Sequence, residues 1–253
     1  MDLWTPHTLA RVAQAHERAR ELRRLTDGFL PRVVSSTGVH EDWPLAAWAM
    51  LSRACGTLDS VMALIGERRA TDAGVLTRSL FEQAVTFAWI AIQPSENALA
   101  WVRWDRAERM KAHNDLLQHG GPPLLEPETL RQFDAVIASG TVMPNLAQRA
   151  KEADRHWAAQ LAAVRNPSTS FRGLYAVIYR TDSQATHAAV TSLEPVVTTA
   201  GPGEFQVLTV EQDPGVHSPF TRAPMLYGLM LLVAESTLGI RGVEVALDQI
   251  FAA

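Results

Sequence analysis

Apolar residues recur every three or four positions along most of the chain, which is the spacing of one face of an α-helix. Proline or a capping residue precedes several of these periodic segments, and glycine or proline follows them. The pattern predicts about eight helices joined by short connections, which is typical of an all-α helical bundle. The predicted helices cover residues 5–30, 42–66, 71–92, 95–119, 127–139, 144–165, 170–190 and 223–251.

The stretch 195–220 departs from the helical pattern because it is rich in glycine and proline. Within it, residues 205–210 alternate between apolar and polar, which predicts one strand and therefore a short hairpin. Long loops inside compact domains often act as lids. We therefore interpret 195–220 as a long loop that covers any cavity between the third and seventh helices, with His217 near it.

Length and composition narrow the class of protein. The chain has 253 residues, which predicts a single domain spanning 1–253. Its formal net charge of −4 gives no general support for nucleic-acid binding. The one cysteine, Cys55, excludes a disulfide framework and is expected to be an inert core thiol. The sequence has no signal peptide pattern and no apolar run of about 20 residues, so we expect a cytoplasmic protein without membrane contact.

The third predicted helix is apolar almost all round, which indicates a central position in the bundle. Arg78 and Glu82 interrupt this pattern at positions i and i+4, and Thr86 and Trp89 continue the same stripe. One interpretation is an internal ion pair that fixes packing. The other is that these side chains line a pocket, since ionisable groups in apolar surroundings often carry function.

The seventh predicted helix repeats this arrangement with Tyr179, Ser183 and His187 spaced four residues apart. Arg180 lies at the edge of the same face. A phenol, a hydroxyl and an imidazole in one line can transfer protons or orient a ligand. The alternative is that His187 is an ordinary hydrogen-bonded packing residue.

The fourth predicted helix carries many charges, and most of them belong to a solvated face. Arg106 and His113 lie on one side of it and are candidates for contact with a substrate. Glu152 and His156 have a spacing that suits a metal ion, but many surface helices share it. The chain contains no HExxH motif, no pair of ExxH motifs and no phosphate-binding glycine loop. We expect neither a metal ion nor a cofactor.

The order of these segments resembles a known family. A helix reading TRSLFEQAVTFAWI, a charged helix, the run YRTDSQATH, a Gly/Pro loop and a terminal helix are similar to the bacterial family catalogued as domain of unknown function 5677. The resemblance covers roughly residues 45–250. It implies an all-α fold and no particular activity. The residues that match its recurring R-x-x-x-E and Y-x-x-x-S-x-x-x-H patterns are Arg78, Glu82, Tyr179, Ser183 and His187.

A second resemblance is to HEPN-class helical ribonucleases, which use an arginine and a histidine with four to six residues between them on one helix. Arg180 and His187 enclose six residues and fit this spacing, and so do Arg106 and His113. Those enzymes usually place Asn, Asp or His directly after the arginine, whereas this chain has Thr181.

Three functions stay open at this point. The first is an enzyme acting on a small molecule by metal-independent hydrolase, cyclase or lyase chemistry, in a biosynthetic pathway for example. The second is a HEPN-like ribonuclease with Arg180 and His187 in its site, and the third is a non-catalytic ligand-binding protein. A homodimer is compatible with each of them.

We favour the small-molecule enzyme and assign roles on that basis. Glu82 and His187 would exchange protons, and Tyr179 and Ser183 would hydrogen-bond the substrate or orient the imidazole. Arg78 would hold an anionic group. Further candidates for substrate contact are Arg180, Arg106 and His113, with Trp89, Trp48 and Trp101 as apolar walls.

Overall fold

Helices make up most of the chain in the computed structural model, which describes residues 4–30, 43–138, 140, 142–163, 170–179, 197–202, 204–207, 211 and 219–252. These residues form ten α-helices, one π-helical turn and one two-stranded sheet, so the all-α prediction is confirmed. The α-helices are α1 (Pro6–Phe29), α2 (Trp43–Gly66), α3 (Ala70–Ile90), α4 (Pro94–Gln118), α5 (Pro127–Ile137), α6 (Leu146–His156), α7 (Ala158–Ala163), α8 (Phe171–Leu174), α9 (Pro219–Leu238) and α10 (Val243–Ala252). The π-helical turn is Tyr175–Tyr179, and the strands are β1 (Val197–Gly201) and β2 (Glu204–Val207).

The core lies where α2, α3 and α9 pack against one another. Leu58, Phe81 and Leu226 contribute fully buried side chains to it from these three helices. Helix α3 also packs against α6 and the π-helical turn, so the predicted central position of this helix is confirmed. Because α3 is surrounded, any polar residue on it must meet a neighbouring element or the edge of the bundle.

A buried hydroxyl joins three helices within this core. Tyr227 of α9 shares a 2.8 Å hydrogen bond with Thr26 of α1, and its hydroxyl lies 3.4 Å from the Leu51 carbonyl oxygen of α2. Burial raises the pKa of the Tyr227 hydroxyl and that of the Cys55 thiol, and the two groups are hydrogen-bonded to each other. Cys55 is buried in the core, as its apolar helix predicts.

Two of the predicted helices are broken in the structure. The predicted helix 144–165 ends at His156, where the Trp157 indole turns inward and donates to the Ala88 carbonyl at 2.9 Å. The predicted helix 223–251 begins earlier, at Pro219, and stops at Leu238. Gly239 and Gly242 then adopt φ angles of +69° and +84°, which are left-handed values that favour glycine and end the helix.

The seventh predicted helix begins where its sequence indicates. Ser170 accepts a hydrogen bond from the Gly173 amide at 2.9 Å, which is the geometry of an N-cap. After one turn, α8 widens into the π-helical turn that carries Tyr175 and Tyr179. The remainder of this predicted helix, residues 180–190, lies outside the described residues.

The predicted hairpin is confirmed, because β1 and β2 pair in antiparallel register with Val197 opposite Val207. Glu211 fastens the chain beyond the hairpin to the start of α3, where its carboxylate accepts the Thr71 amide at 2.7 Å. Its backbone carbonyl accepts the Trp4 indole at 3.0 Å. The function of this loop as a lid stays a prediction, and His217 lies outside the described residues.

None of the helices that the structure describes has the length and hydropathy needed to cross a membrane.

The last helix depends on a carboxylate from its neighbour. Glu235 of α9 accepts the amides of Val243 and Glu244 at 3.0 Å each, and thereby caps the first turn of α10. We predict that Glu235→Ala lowers the free energy of unfolding by ~1 kcal/mol, the usual cost of losing a cap. Urea denaturation measures this change. Asp248→Ala, which removes an exposed carboxylate from α10, is the matched control and should have little effect.

Candidate functional site

A group of polar side chains lies where α3 meets α6 and the π-helical turn. We call it the α3–α6 cluster. It consists of Arg78, Glu82, Thr86 and Trp89 of α3, Arg149 and Glu152 of α6, and Tyr179 of the π-helical turn. The sequence singles out five of these side chains, Arg78, Glu82, Thr86, Trp89 and Tyr179, and the structure brings them to one region.

Arg78 and Glu82 form the first part of the cluster. The Arg78 Nε donates to Glu82 Oε1 at 3.4 Å, which is a long hydrogen bond. The Glu82 side chain is 46% exposed and that of Arg78 is 15% exposed. The interpretation of an internal ion pair is therefore wrong for the carboxylate, which reaches the solvent at the edge of the bundle.

Tyr179 holds the Arg78 guanidinium from one face. The Arg78 Cζ atom lies 4.4 Å from the centroid of the Tyr179 ring, a cation–π geometry. The Tyr179 ring stacks on Tyr175 with centroids 4.8 Å apart and planes 11° apart. This stack orients the guanidinium, yet Arg78 Nη1 is buried and has no hydrogen-bond partner among the described residues.

Arg149 enters the cluster from α6. It is 8% exposed, and its Nη1 donates to the Thr86 hydroxyl, which in turn donates to the Glu82 carbonyl oxygen at 2.7 Å. Burial lowers the pKa of the Arg149 guanidinium to about 10, and the nearby Glu82 carboxylate opposes part of this shift. The group still carries its charge at neutral pH. Its Nε is buried and lacks a partner among the described residues.

The sequence reasoning missed Arg149, although a signal was present. The buried residues Ala150, Ala153 and Trp157 mark the inner face of α6 and its end, and Arg149 lies on that face four positions before Ala153. Helical periodicity would have separated it from Arg155, which is exposed on the same helix.

Two further carboxylates, Glu152 of the cluster and Asp154 of the same helix, accept hydrogen bonds at both oxygens. Glu152 accepts the Trp89 indole at 2.8 Å and the Gln148 amide at 3.0 Å. Asp154 accepts the backbone amides of Phe171 and Arg172 at 2.6 and 2.9 Å, which ties α8 to α6. These carboxylates position other groups, so each is held more firmly than Glu82.

The spacing of Glu152 and His156 does not produce a metal site in the structure. Glu152 binds Trp89 and Gln148, while the His156 ring packs edge-on against Trp157 with centroids 4.7 Å apart. Within the described ranges, no three His, Cys, Asp or Glu side chains are grouped so that they could hold a metal ion.

Arg106 and His113 lie outside the α3–α6 cluster. The Arg106 Cζ atom lies 4.8 Å from the centroid of the Phe133 ring of α5. His113 is buried, and its Nδ1 accepts the amides of Leu124 and Leu125 at 3.1 and 3.2 Å. Both side chains thus hold α4 to α5 and to the segment between them, which gives them a packing role in this structure.

The remaining candidates divide into two groups. Trp101 packs against a small apolar cluster that contains Trp89, whereas Trp48 packs against the main core. Arg180, Ser183 and His187 lie outside the described residues. The proton-transfer role of His187 and the ribonuclease alternative, which needs Arg180 and His187, stay predictions.

The fold and this site define an all-α bundle with two partly unpaired arginines beside one accessible carboxylate. The chain belongs to the Family of unknown function (DUF5677), whose model matches residues 45–205. That range includes every member of the α3–α6 cluster. No curated protein and no solved structure matches the chain, so these comparisons give no support to the resemblance to HEPN-class ribonucleases.

We expect the contact of Asp154 with α8 to depend on pH. Burial raises the pKa of its carboxyl group, and the hydrogen bonds from Arg172 and Phe171 only partly oppose this. A raised pKa means that the folded state binds the proton more tightly, so this contribution to stability falls as pH rises from the unfolded pKa through the folded one.

We predict that Asp154→Asn removes this dependence. The free energy of unfolding of the variant minus that of the wild type should rise between pH 3.5 and pH 7. The sign of this difference at a single pH is not part of the prediction. Urea unfolding at several pH values measures the difference. Asp134→Asn, an exposed carboxylate on α5, is the control. A relative stability of Asp154→Asn that falls with pH would contradict the assignment.

Proposed function

We propose that this protein is an enzyme that transforms a small molecule at the α3–α6 cluster by general acid–base chemistry. Glu82 is the group that transfers the proton. The observation that carries the proposal is that Glu82 is half exposed at the edge of a buried polar cluster and has its oxygens largely free.

A comparison of the three carboxylates in this region supports the choice of Glu82. Glu152 and Asp154 each accept two short hydrogen bonds, whereas Glu82 accepts a single one of 3.4 Å from Arg78 among the described residues. A general acid or base must come within hydrogen-bond distance of the substrate proton. Glu82 meets this condition, since its side chain reaches solvent and no strong partner holds it.

The neighbouring side chains supply the other functions of such a site. Arg78 and Arg149 bring positive charge to the Glu82 carboxylate, and Tyr179 orients Arg78. The Trp89 indole donates a hydrogen bond to Glu152 and so fixes the position of that side chain in the cluster. His187 is the proposed second proton-transfer group and Ser183 its hydrogen-bonding neighbour. Hydrolase, cyclase and lyase reactions all use general acid–base chemistry. The proposal also places the protein in the cytoplasm.

Glu82→Gln tests the proposal, because it keeps the size of the side chain and removes its ability to take a proton. The purified wild type and the variant are incubated with a bacterial metabolite extract freed of macromolecules, and mass spectrometry follows each compound. We expect the wild type to consume at least one compound, and the variant to do so at least about 100-fold more slowly, as is typical for loss of a general acid or base.

Glu108→Gln is the matched control, since Glu108 is an exposed carboxylate on α4. It should retain the wild-type rate. If the wild type and Glu82→Gln consume a compound at equal rates, the proposed role of Glu82 is contradicted. If the wild type leaves every compound unchanged, the proposal that this protein is an enzyme is contradicted.

A further inference from the structure

We infer that the substrate carries an oxyanion, a phosphate or carboxylate group, and that Arg149 and Arg78 bind it together. This inference rests on the proposed function, because it names the substrate class of the same site. It adds Arg149, a residue that the sequence pattern did not single out, as the main anion-binding group.

The state of Arg149 is the first argument. Its side chain is more than nine-tenths buried, and its Nε has no partner among the described residues. A buried charged donor without an acceptor costs free energy, and most buried polar groups in native proteins have a hydrogen-bond partner. The lowered pKa of Arg149 reflects the same desolvation. An oxygen of a bound anion would satisfy this donor and offset that cost.

Arg78 provides the second donor. Its Nε is directed to Glu82, and its Nη1 is buried without a partner in the described part of the chain. The stack on Tyr179 fixes the plane of the guanidinium. A guanidinium with a fixed plane suits carboxylate and phosphate oxygens, because its donors form a rigid fork.

The positive charges of the cluster lie on the two arginines that the anion would contact. Arg78 and Arg149 carry two positive charges, and Glu82 and Glu152 carry two negative charges, so the cluster as a whole is neutral. Glu152 accepts its hydrogen bonds from two neutral donors, the Trp89 indole and the Gln148 amide. Low exposure strengthens electrostatic interactions, so an oxyanion gains more here than at an exposed arginine.

Glu82 is the accessible group that neighbours both arginines. Arg78 Nη1 and Arg149 Nε are closed to solvent, while the Glu82 side chain is half exposed, accepts a hydrogen bond from Arg78 and attracts the Arg149 guanidinium. The inference requires a shift of the Glu82 side chain that admits the oxyanion. This movement also brings the carboxylate next to the bound substrate, where its proposed proton transfer takes place.

Calorimetric titration with simple anions tests the inference. Sodium phosphate and sodium acetate are titrated separately into the wild type, with sodium chloride at equal ionic strength as the reference. We expect saturable binding of phosphate, of acetate or of both, and the anion that binds identifies the oxyanion group. Arg149→Met should weaken this binding at least tenfold.

Three further variants make the result specific. Arg155→Met removes an exposed arginine from the same helix and should bind as the wild type does. Arg149→Lys keeps the charge but lacks the Nε donor and should also weaken binding at least tenfold. Glu82→Gln should bind the anion at least as tightly as the wild type, because a repelling charge is removed. If neither Arg149 variant folds by circular dichroism, Arg78→Lys takes their place with the same expected loss.

The outcomes separate this inference from the proposed function. No saturable binding of either anion, or equal binding by the wild type and the Arg149 variants, overturns the oxyanion site. If turnover still depends on Glu82 in that case, the enzyme proposal stands alone. If the anion binds through Arg149 but the wild type turns over no compound, the anion site is supported and the enzyme proposal is rejected.

Discussion

The burial of the Arg149 guanidinium between α6 and α3 is the constraint on which the site depends. The charge is held by one hydrogen bond to Thr86 and by attraction to Glu82, and its Nε is left without a partner in the described chain. Hydrophobic packing of α6 against α3 keeps the group there, because Ala150 and Ala153 are fully buried at the same contact. The fold therefore sustains an arrangement that is unfavourable for Arg149 itself.

The architecture explains how the other groups reach this place. Helix α3 is central, and it packs against both α6 and the π-helical turn. Asp154 ties α8 to α6, and α8 continues directly into the turn that carries Tyr179. Two neighbouring elements thus bring Arg149 and Tyr179 to the polar stripe of α3, where Tyr179 contacts Arg78 and Arg149 contacts Thr86. A π-helical turn at this point is consistent with a functional site, since such turns occur frequently at functional sites in proteins.

The sequence predicted the fold and five of the seven side chains of the α3–α6 cluster, and the physical reasons for the two successes differ. Periodicity identified the helices, and the polar stripe of α3 stood out because an apolar helix makes Arg78 and Glu82 conspicuous. The break at Trp157 was missed because it depends on a tertiary hydrogen bond to Ala88, which no local pattern encodes. Arg149 was missed because it is one charge among several on a polar helix, although the spacing of Ala150, Ala153 and Trp157 marks the face on which it lies.

The exposure of Glu82 was also beyond the sequence. An i, i+4 arginine and glutamate on an apolar helix are compatible with an internal ion pair or with a pocket lining, and the pattern does not tell that the Glu82 side chain is 46% exposed. Where a helix meets the edge of its bundle depends on all its neighbours. This difference changes the chemistry, because an accessible carboxylate between two arginines can react whereas a buried pair only stabilises packing.

The free energy of unfolding of Arg149→Met, measured in urea without added anions, tests the central claim most directly. If Arg149 is kept for binding, replacing it with an apolar side chain of similar length relieves an unpaired buried charge. The variant should then be as stable as the wild type or more stable. If Arg149 instead serves to stabilise the packing of α6 on α3, its loss removes a favourable hydrogen bond to Thr86 and the attraction to Glu82. A decrease of about 3 kcal/mol or more would then be observed and would contradict the account.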